Sequence, residues 1–278
     1  MTTLRSLARN CTPRVIRNWL RMPSKSIEYV RDRLSFAAGN TKMVKVRDNW
    51  ILKVHPAAHH HFEVFNTDPI QSKELDAFIA NCTPGIRLMD VGAHYGFFAL
   101  AALRYGGSDA QVLCVEASPS AAKILDATLN LNDTKGRVRV FNVAMGDKDG
   151  MLSMLATGPL GADYFIVPTE DRKDTILVPQ RSLVSLLEET DFNPTHIKFD
   201  IEGFEFEVIE SGLEILKTLR PVLFLELHGT ALLARGKDPL AVIQMLRSAG
   251  YSSFIEDNQE LTPEAMASLG YNCRMICR

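Results

Sequence analysis

The 278-residue sequence predicts an α/β protein with a mostly parallel sheet and helices on both faces. From residue 86 onwards, short apolar runs typical of buried strands alternate with segments of helical periodicity. The strand Leu88–Val91 leads into a glycine turn, Gly92–Gly96, and then a helical run, and the next strand, Val112–Val115, ends at Glu116. A strand–turn–helix–strand unit of this kind is typical of the nucleotide-binding half of a doubly wound sheet.

The glycine turn predicts a cofactor site. Gly92 has no Cβ, so the chain can turn sharply there and a ligand can approach the backbone. The following helix directs free N–H groups at the turn, where a carboxylate is stabilised. Asp90 and Glu116 stand at the two strand ends, and Glu116 can accept both hydroxyls of a ribose. Because Gly92 and Gly96 do not fit the dinucleotide pattern G-x-G-x-x-G, the turn suits S-adenosylmethionine better than a dinucleotide.

The length and composition of the chain favour one full-sized domain with an extension. Hydrophobic residues make up 46% of the chain and the net charge is -2, which argues against nucleic acid as a partner. No apolar run approaches the roughly 18 residues of a membrane span. The five cysteines are scattered without zinc-site spacing, so we expect reduced thiols and a cytoplasmic protein.

Residues 1–40 are predicted to form a basic, helical N-terminal extension, and residues 41–278 the main domain. Arginines alternate with the apolar side chains of Val15, Ile16, Trp19 and Leu20 on a helical pattern. Packing of this arm on its own domain or on a second subunit is the favoured interpretation. Contact of residues 1–35 with an anionic membrane surface or an acidic partner, and a targeting peptide, remain open alternatives.

A second acidic stretch runs from His196 to Glu205, and Asp200, Glu202 and Glu205 cluster where a strand becomes a helix. Ligands bind at the carboxyl ends of strands in open parallel sheets. Asp200 and His228, which ends the following strand, are therefore candidate general bases for the removal of a proton. Asp200 and Glu202, together with Glu226, could instead hold a divalent cation, but we favour a site without a metal.

Two further segments have alternative interpretations. Residues 55–61 contain four of the seven histidines, and an exposed loop is favoured over metal binding because no cysteine or repeated carboxylate lies nearby. Residues 156–174 are polar and rich in glycine and proline, and they are predicted to form either a mobile lid or a solvated excursion.

Six ordered motifs resemble the FkbM-type methyltransferases over about residues 85–230. The most specific is Lys-Phe-Asp-Ile-Glu-Gly-Phe-Glu at residues 198–205. The others are Asp90-Val-Gly-Ala-His-Tyr-Gly96, Glu116, Asn142-Val-Ala144 with the turn at residues 147–150, Val178-Pro179, and Glu226-Leu-His228. The resemblance implies a class I methyltransferase fold, with a mostly parallel, Rossmann-like sheet of seven strands. It also implies methyl transfer from S-adenosylmethionine, usually to a hydroxyl oxygen of a sugar, lipid or secondary metabolite, by in-line displacement.

The resemblance and the residue chemistry together give a predicted site. The predicted cofactor-binding residues are Asp90, Gly92, His94, Gly96, Glu116, Asn142 and Ala144, and the predicted catalytic residues are Asp200, Glu202 and His228. Two departures stand out, since His94 replaces the usual Asn and Ala117-Ser118 the commoner Pro-Asp. An NAD-dependent oxidoreductase or epimerase, and a noncatalytic scaffold that retains the fold, are the alternative functions. The sequence does not give the acceptor or the oligomeric state.

Overall fold

The computed structural model describes residues 23–157, 163–166, 175–267 and 270–278. The helices in this part of the chain are α1 (Pro23–Ala37), α2 (His59–Thr67), α3 (Pro69–Asn81), α4 (Phe97–Tyr105), α5 (Pro119–Asn130), α6 (Leu183–Thr190), α7 (Glu205–Ser211), α8 (Leu213–Leu219), α9 (Gly229–Ala234), α10 (Pro239–Ser248) and α11 (Pro263–Ala267). The strands are β1 (Lys42–Lys45), β2 (Ile51–Val54), β3 (Arg87–Val91), β4 (Gln111–Val115), β5 (Val138–Phe141), β6 (Ala144–Gly146), β7 (Gly150–Thr157), β8 (Asp163–Ile166), β9 (Thr175–Ser182), β10 (His196–Phe199), β11 (Val222–His228), β12 (Phe254–Glu256), β13 (Gln259–Glu260) and β14 (Asn272–Cys277).

The central sheet has the strand order β13-β12-β14-β11-β10-β3-β4-β5. The strands β11, β10, β3, β4 and β5 are parallel neighbours, whereas β14 is antiparallel to both β11 and β12. The predicted mostly parallel sheet of seven strands is confirmed, with the two-residue strand β13 added at its outer edge. The short hairpin of β12 and β13 was not predicted from the sequence.

Four helices, α3, α5, α6 and α10, begin after a residue whose side chain replaces a missing hydrogen bond of the first turn. The Ser118 hydroxyl accepts the backbone N–H of Ala121 at 3.1 Å, and Pro119 fills the first helical position of α5. Asp238 caps α10 in the same way, because its carboxylate accepts the N–H of Leu240 at 2.9 Å. These caps fix the residues at which α5 and α10 begin.

Apolar side chains bury the central sheet on both faces. One face packs against α6, α7 and α10 through a core that includes Leu186, Val208 and Ile243. The other face packs against α2, α4 and α5, where Phe97 stacks on Phe65 with 3.6 Å between ring centroids. The strands at the centre are buried from both sides, as is typical of parallel sheets with helical crossovers.

The N-terminal part of the domain corrects one prediction. Residues 55–61 are not an exposed loop, since they form a short 3₁₀ turn, Pro56–Ala58, and the start of α2. His55 is 4% exposed and its ring lies 4.4 Å from the ring of Phe36 on α1. Of the four histidines, His55 is buried, His59 and His61 are partly buried, and His60 is exposed, so a polar tract did not indicate an exposed loop here.

A smaller sheet with the strand order β6-β9-β7-β8 lies beside the carboxyl ends of the central strands. It takes up part of the predicted polar segment of residues 156–174, because residues 163–166 pair with β7 as the antiparallel strand β8. Residues 158–162 and 167–174 lie outside the described residues, as do residues 1–22 of the basic extension. None of the helices that the structure describes has the length and apolar character needed to cross a membrane.

Candidate active site

A cavity of about 410 Å³ opens at the carboxyl ends of β3, β4 and β10. Its wall includes six residues of the predicted site, which come from four separate stretches of sequence: Gly92, His94, Glu116, Ala144, Asp200 and Glu202. The smaller sheet adds the side chain of Met154. We call this space the first cavity.

The glycine turn is fixed against the end of β10. Gly92 has φ +85°, and a Cβ at this position would lie 1.9 Å from the backbone oxygen of Asp200. The N–H of Gly92 donates to the carbonyl oxygen of Val115 at 2.9 Å, and the N–H of Asp200 donates to that of Val91 at 3.0 Å. Any other residue at position 92 would therefore separate the glycine turn from the strand that carries Asp200.

Glu116 is held rigidly at the cavity wall. Its two carboxylate oxygens accept the backbone N–H groups of His94 at 2.8 Å and Ser118 at 2.7 Å. The described residues offer this carboxylate no ion pair, and burial raises the pKa of Glu116 to about 7. A carboxylate has about four lone-pair sites, so two of them remain for hydroxyl groups of a ligand.

Asp90 lies behind the glycine turn and is 1% exposed, so it does not form part of the cavity wall. Burial raises the pKa of Asp90 to about 6. Its Oδ2 atom is buried without a hydrogen-bond partner among the described residues. A buried carboxylate without a partner is costly, which is typical of a group with a role in binding.

The other predicted cofactor residues divide into two groups. Ala144 is on the cavity wall, whereas Asn142 donates from Nδ2 to the backbone oxygens of Glu116 at 2.7 Å and Ala117 at 3.2 Å. Gly96 begins α4 in a left-handed conformation, and a Cβ there would meet Leu125 at 2.5 Å. Asn142 and Gly96 thus hold the frame of the first cavity and are not on its wall.

Four carboxylates surround His228 at the end of β11, and we call them the carboxylate cluster. They belong to Asp200, Glu202, Glu205 and Glu226. The Nδ1 atom of His228 lies 2.8 Å from Glu205 Oε1, and the Nε2 atom lies 3.6–3.9 Å from oxygens of the other three. Although burial lowers it, the hydrogen bond to Glu205 and the surrounding charges raise the pKa of His228 to about 9. At neutral pH the side chain is therefore a cation, which does not fit the predicted role of a general base.

Two further cations hold the cluster. Lys198 donates to Asp200 Oδ2 at 2.9 Å, and Arg274 donates from two nitrogens to the two oxygens of Glu226, each at 2.9 Å. Burial opposes ionisation of Asp200, but Lys198 and His228 keep its pKa below the usual value. Burial raises the pKa of Glu202, whose side chain is 54% exposed. Of the two predicted catalytic carboxylates on the cavity wall, Glu202 is the better base.

The donor set could also hold a divalent cation. One ligand atom each from Asp200, Glu226 and His228 lies within 4.8 Å of the others. Oxygen and imidazole ligands of this kind bind several divalent metals. In this arrangement, however, Lys198 and Arg274 already compensate the two carboxylates, and the predicted absence of a metal stays a prediction.

His61, which α2 places on the wall of the first cavity, was not predicted from the sequence as a site residue. Its Nε2 atom lies 3.4 Å from Nδ1 of His94, and the two rings are 4.4 Å apart. Burial lowers the pKa of His61 to about 3 and that of His94 to about 4, so both rings are neutral. The histidine-rich tract was the available signal, but only tertiary packing brings one member of it to the site.

The sequence profile of the Methyltransferase FkbM domain matches residues 90–253, which is more than half of the chain. The protein belongs to this family. The order of strands and the antiparallel β14 agree with the Rossmann-like fold of class I methyltransferases. A comparison with curated protein sequences gave no match.

Similar solved structures include the methyltransferase FkbM of Methylobacillus flagellatus KT, with 13% identity and a TM-score of 0.46 over 96% of this chain. This chain spans 62% of the length of that one. Aeropyrum pernix fibrillarin, with natively bound S-adenosyl-L-methionine, has 7% identity and a TM-score of 0.43 over 85% of this chain and 93% of its own. A SAM-dependent methyltransferase of Aquifex aeolicus has 16% identity and a TM-score of 0.40 over 77% of this chain and 91% of its own.

Proposed function

We propose that the protein transfers a methyl group from S-adenosylmethionine to a hydroxyl oxygen of a small-molecule acceptor. The observation that carries this proposal is Glu116, a buried carboxylate fixed by two backbone N–H groups on the wall of the first cavity. Membership of the family supports it further. When bound, S-adenosylmethionine supplies an electrophilic methyl group on a positively charged sulfur.

The residues of the first cavity fit this cofactor. Glu116 offers its remaining lone pairs to two neighbouring hydroxyls of a ribose, and the N-terminus of α4 offers free N–H groups to a carboxylate. Asp90 provides a buried carboxylate close behind the glycine turn, and its Oδ2 atom has no hydrogen-bond partner among the described residues. A cationic ligand with a ribose and a carboxylate matches all three features.

An alcohol must lose its proton when its oxygen is methylated, and a side chain near the cavity can accept it. We assign this role to Glu202, which is partly exposed and has a raised pKa. Asp200, held by Lys198, positions the acceptor hydroxyl. His228 remains an imidazolium and stabilises the carboxylate cluster. This assignment keeps all three predicted catalytic residues but changes the role of the histidine.

Isothermal titration with S-adenosylmethionine and, separately, with NAD tests the cofactor. We expect heat for S-adenosylmethionine only. Binding of NAD alone would support the oxidoreductase, and binding of neither would support the noncatalytic scaffold. With an acceptor in hand, Glu202→Gln should lower kcat at least 100-fold, and an unchanged kcat would remove Glu202 from its assigned role.

A further inference from the structure

A second cavity, of about 530 Å³, lies between α3, the central strands β11 and β14, and the β12–β13 hairpin. An ion pair joins its wall to that of the first cavity. Asp200 stands on the wall of the first cavity, Lys198 stands on the wall of the second, and the two side chains are 2.9 Å apart. We propose that the second cavity holds the body of the methyl acceptor, with the reacting hydroxyl directed past this ion pair to Asp200 and Glu202 on the wall of the first cavity. We further propose that this acceptor is a neutral, polyhydroxylated molecule such as a sugar. The proposal rests on the proposed function.

The charges on the wall of the second cavity disfavour an anionic acceptor. Among the described residues, its wall has five carboxylates and three basic side chains. Each basic side chain already has an acidic partner: Lys198 pairs with Asp200, Arg274 with Glu226, and Lys73 with Asp257 at 3.0 Å. A phosphate or carboxylate group would therefore meet an excess of negative charge without a free cation to bind it.

The same groups suit hydroxyls. Glu74 lies between the buried Lys198, at 3.6 Å, and the partly buried Arg274, at 3.4 Å, and burial raises the pKa of Glu74. A hydroxyl can donate to a carboxylate such as Glu74 and accept from an N–H of Arg274, so it can join this network without adding charge. A molecule with several hydroxyls can satisfy several of these groups at once.

The floor of the second cavity is apolar. Phe224 and Ile276 line it from the sheet, and Ala77 lines it from α3. Ligand sites commonly combine apolar walls with a few polar groups that fix orientation. A sugar ring has C–H groups on its faces and hydroxyls at its edge, and this distribution matches an apolar floor with a polar rim.

The β12–β13 hairpin closes the outer end of the second cavity. Asp257 and Asn258 form its two-residue turn, both with positive φ (50° and 63°), and Asp257 pairs with Lys73 on α3. Both side chains of this pair are about two-thirds exposed (65% and 63%), so the ion pair is weak and can open. The acceptor can therefore enter from this side without disturbing the first cavity.

Saturation-transfer NMR with two sets of probes tests the proposal. The probes are neutral methyl pyranosides (gluco, galacto, manno and rhamno) and the corresponding sugar phosphates, each with S-adenosylhomocysteine present. Ala77→Phe fills the second cavity from α3, and Glu74→Gln changes its polar wall without changing its volume. Ala80→Phe is the matched control, because Ala80 is an exposed residue of the same helix.

We expect at least one neutral pyranoside to bind to the native protein and to Ala80→Phe, and to bind at least tenfold more weakly to Ala77→Phe and Glu74→Gln. Signals from sugar phosphates alone, no pyranoside signal, or equal signals in all variants would overturn the proposal. Titration of every sample with S-adenosylmethionine separates the two hypotheses. If the cofactor binds and the pyranosides do not, only this inference fails, whereas loss of cofactor binding in the native protein contradicts the proposed function.

Discussion

The carboxylates at the two cavities differ in whether they have ion-pair partners. At the first cavity, Asp90 and Glu116 are buried without an ion pair among the described residues, and burial raises the pKa of both. At the second cavity and the adjoining carboxylate cluster, Lys198, Arg274 and His228 compensate the acids. The two carboxylates at the first cavity thus lack a paired cation in the described part of the chain, and a cationic cofactor with hydrogen-bond donors can compensate them. On the wall of the second cavity, each basic side chain already has an acidic partner, so this cavity suits a neutral ligand better than an anion.

The largest effect is expected from Gly92→Ala, which would separate the glycine turn of the first cavity from Asp200, whose side chain pairs with Lys198 of the second. The added Cβ would meet the Asp200 backbone, so the glycine turn must move. We expect a loss of about 3 kcal/mol or more in the free energy of unfolding and no cofactor binding. Gly107→Ala is the control, because Gly107 has a similar φ of +81° but nothing within 4 Å of its Cβ position. It should cost only about 1 kcal/mol in urea unfolding, and equal losses in the two variants would rule out the clash.

The pH dependence of unfolding tests whether a protonated His228 stabilises the carboxylate cluster. The pKa of His228 is about 9 in the folded protein, above the unfolded value of about 6.5, so its stabilisation is fully present below pH 6.5 and is lost as pH rises through 9. The effect is on the order of 2–3 kcal/mol. Urea unfolding from pH 6 to pH 10 should show this decline in the native protein and a smaller one in His228→Asn. The same decline in both would mean that His228 is not the group that titrates.

Glu116→Gln tests whether the buried carboxylate at the first cavity contributes to cofactor binding. Loss of the negative charge should weaken the binding of S-adenosylmethionine about tenfold to a hundredfold, because hydrogen bonds to a charged group contribute about 1.5–3 kcal/mol. In the native protein, affinity should fall as pH decreases through about 7, where Glu116 becomes protonated. Titration calorimetry at pH 6 and pH 8 measures both effects. A pH-independent affinity in the native protein would contradict the role of this carboxylate.

Asp90→Asn should have the smallest effect on stability, and in the opposite direction. The folded pKa of Asp90 is about 6, above its unfolded value of about 3.9, so the ionised side chain lowers stability above pH 6. At pH 8 the free energy of unfolding of the variant, measured in urea, should be higher by roughly 1–2 kcal/mol. At pH 4 it should not be higher. The affinity of the variant for S-adenosylmethionine should decrease. A loss of stability at pH 8 would show that Asp90 is compensated after all.

The sequence predicted the central sheet and one wall of the first cavity because both depend on local patterns. Gly92, Glu116 and Asp200 each follow a buried strand, and the carboxyl ends of parallel strands meet at one edge of the sheet. Contacts between distant elements could not be predicted in this way. The pairing of Arg274 with Glu226 depends on the register of β14 against β11, and Glu74 and His61 reach their places only when α2 and α3 pack on the sheet. The charge of His228 likewise depends on neighbours from β10 and α7.

The two cavities have no wall residue in common. All residues on the wall of the first except His61 fall within residues 90–253, the part of the chain that matches the family. The second cavity is closed by α3 and by the segment from residue 255 to residue 276, which lie outside that match. Under the proposed assignments, acceptor preference can therefore change during evolution, or by design, through mutations in α3 and the β12–β13 hairpin that leave the cofactor site intact. Saturation mutagenesis aimed at a new acceptor would begin with these two segments.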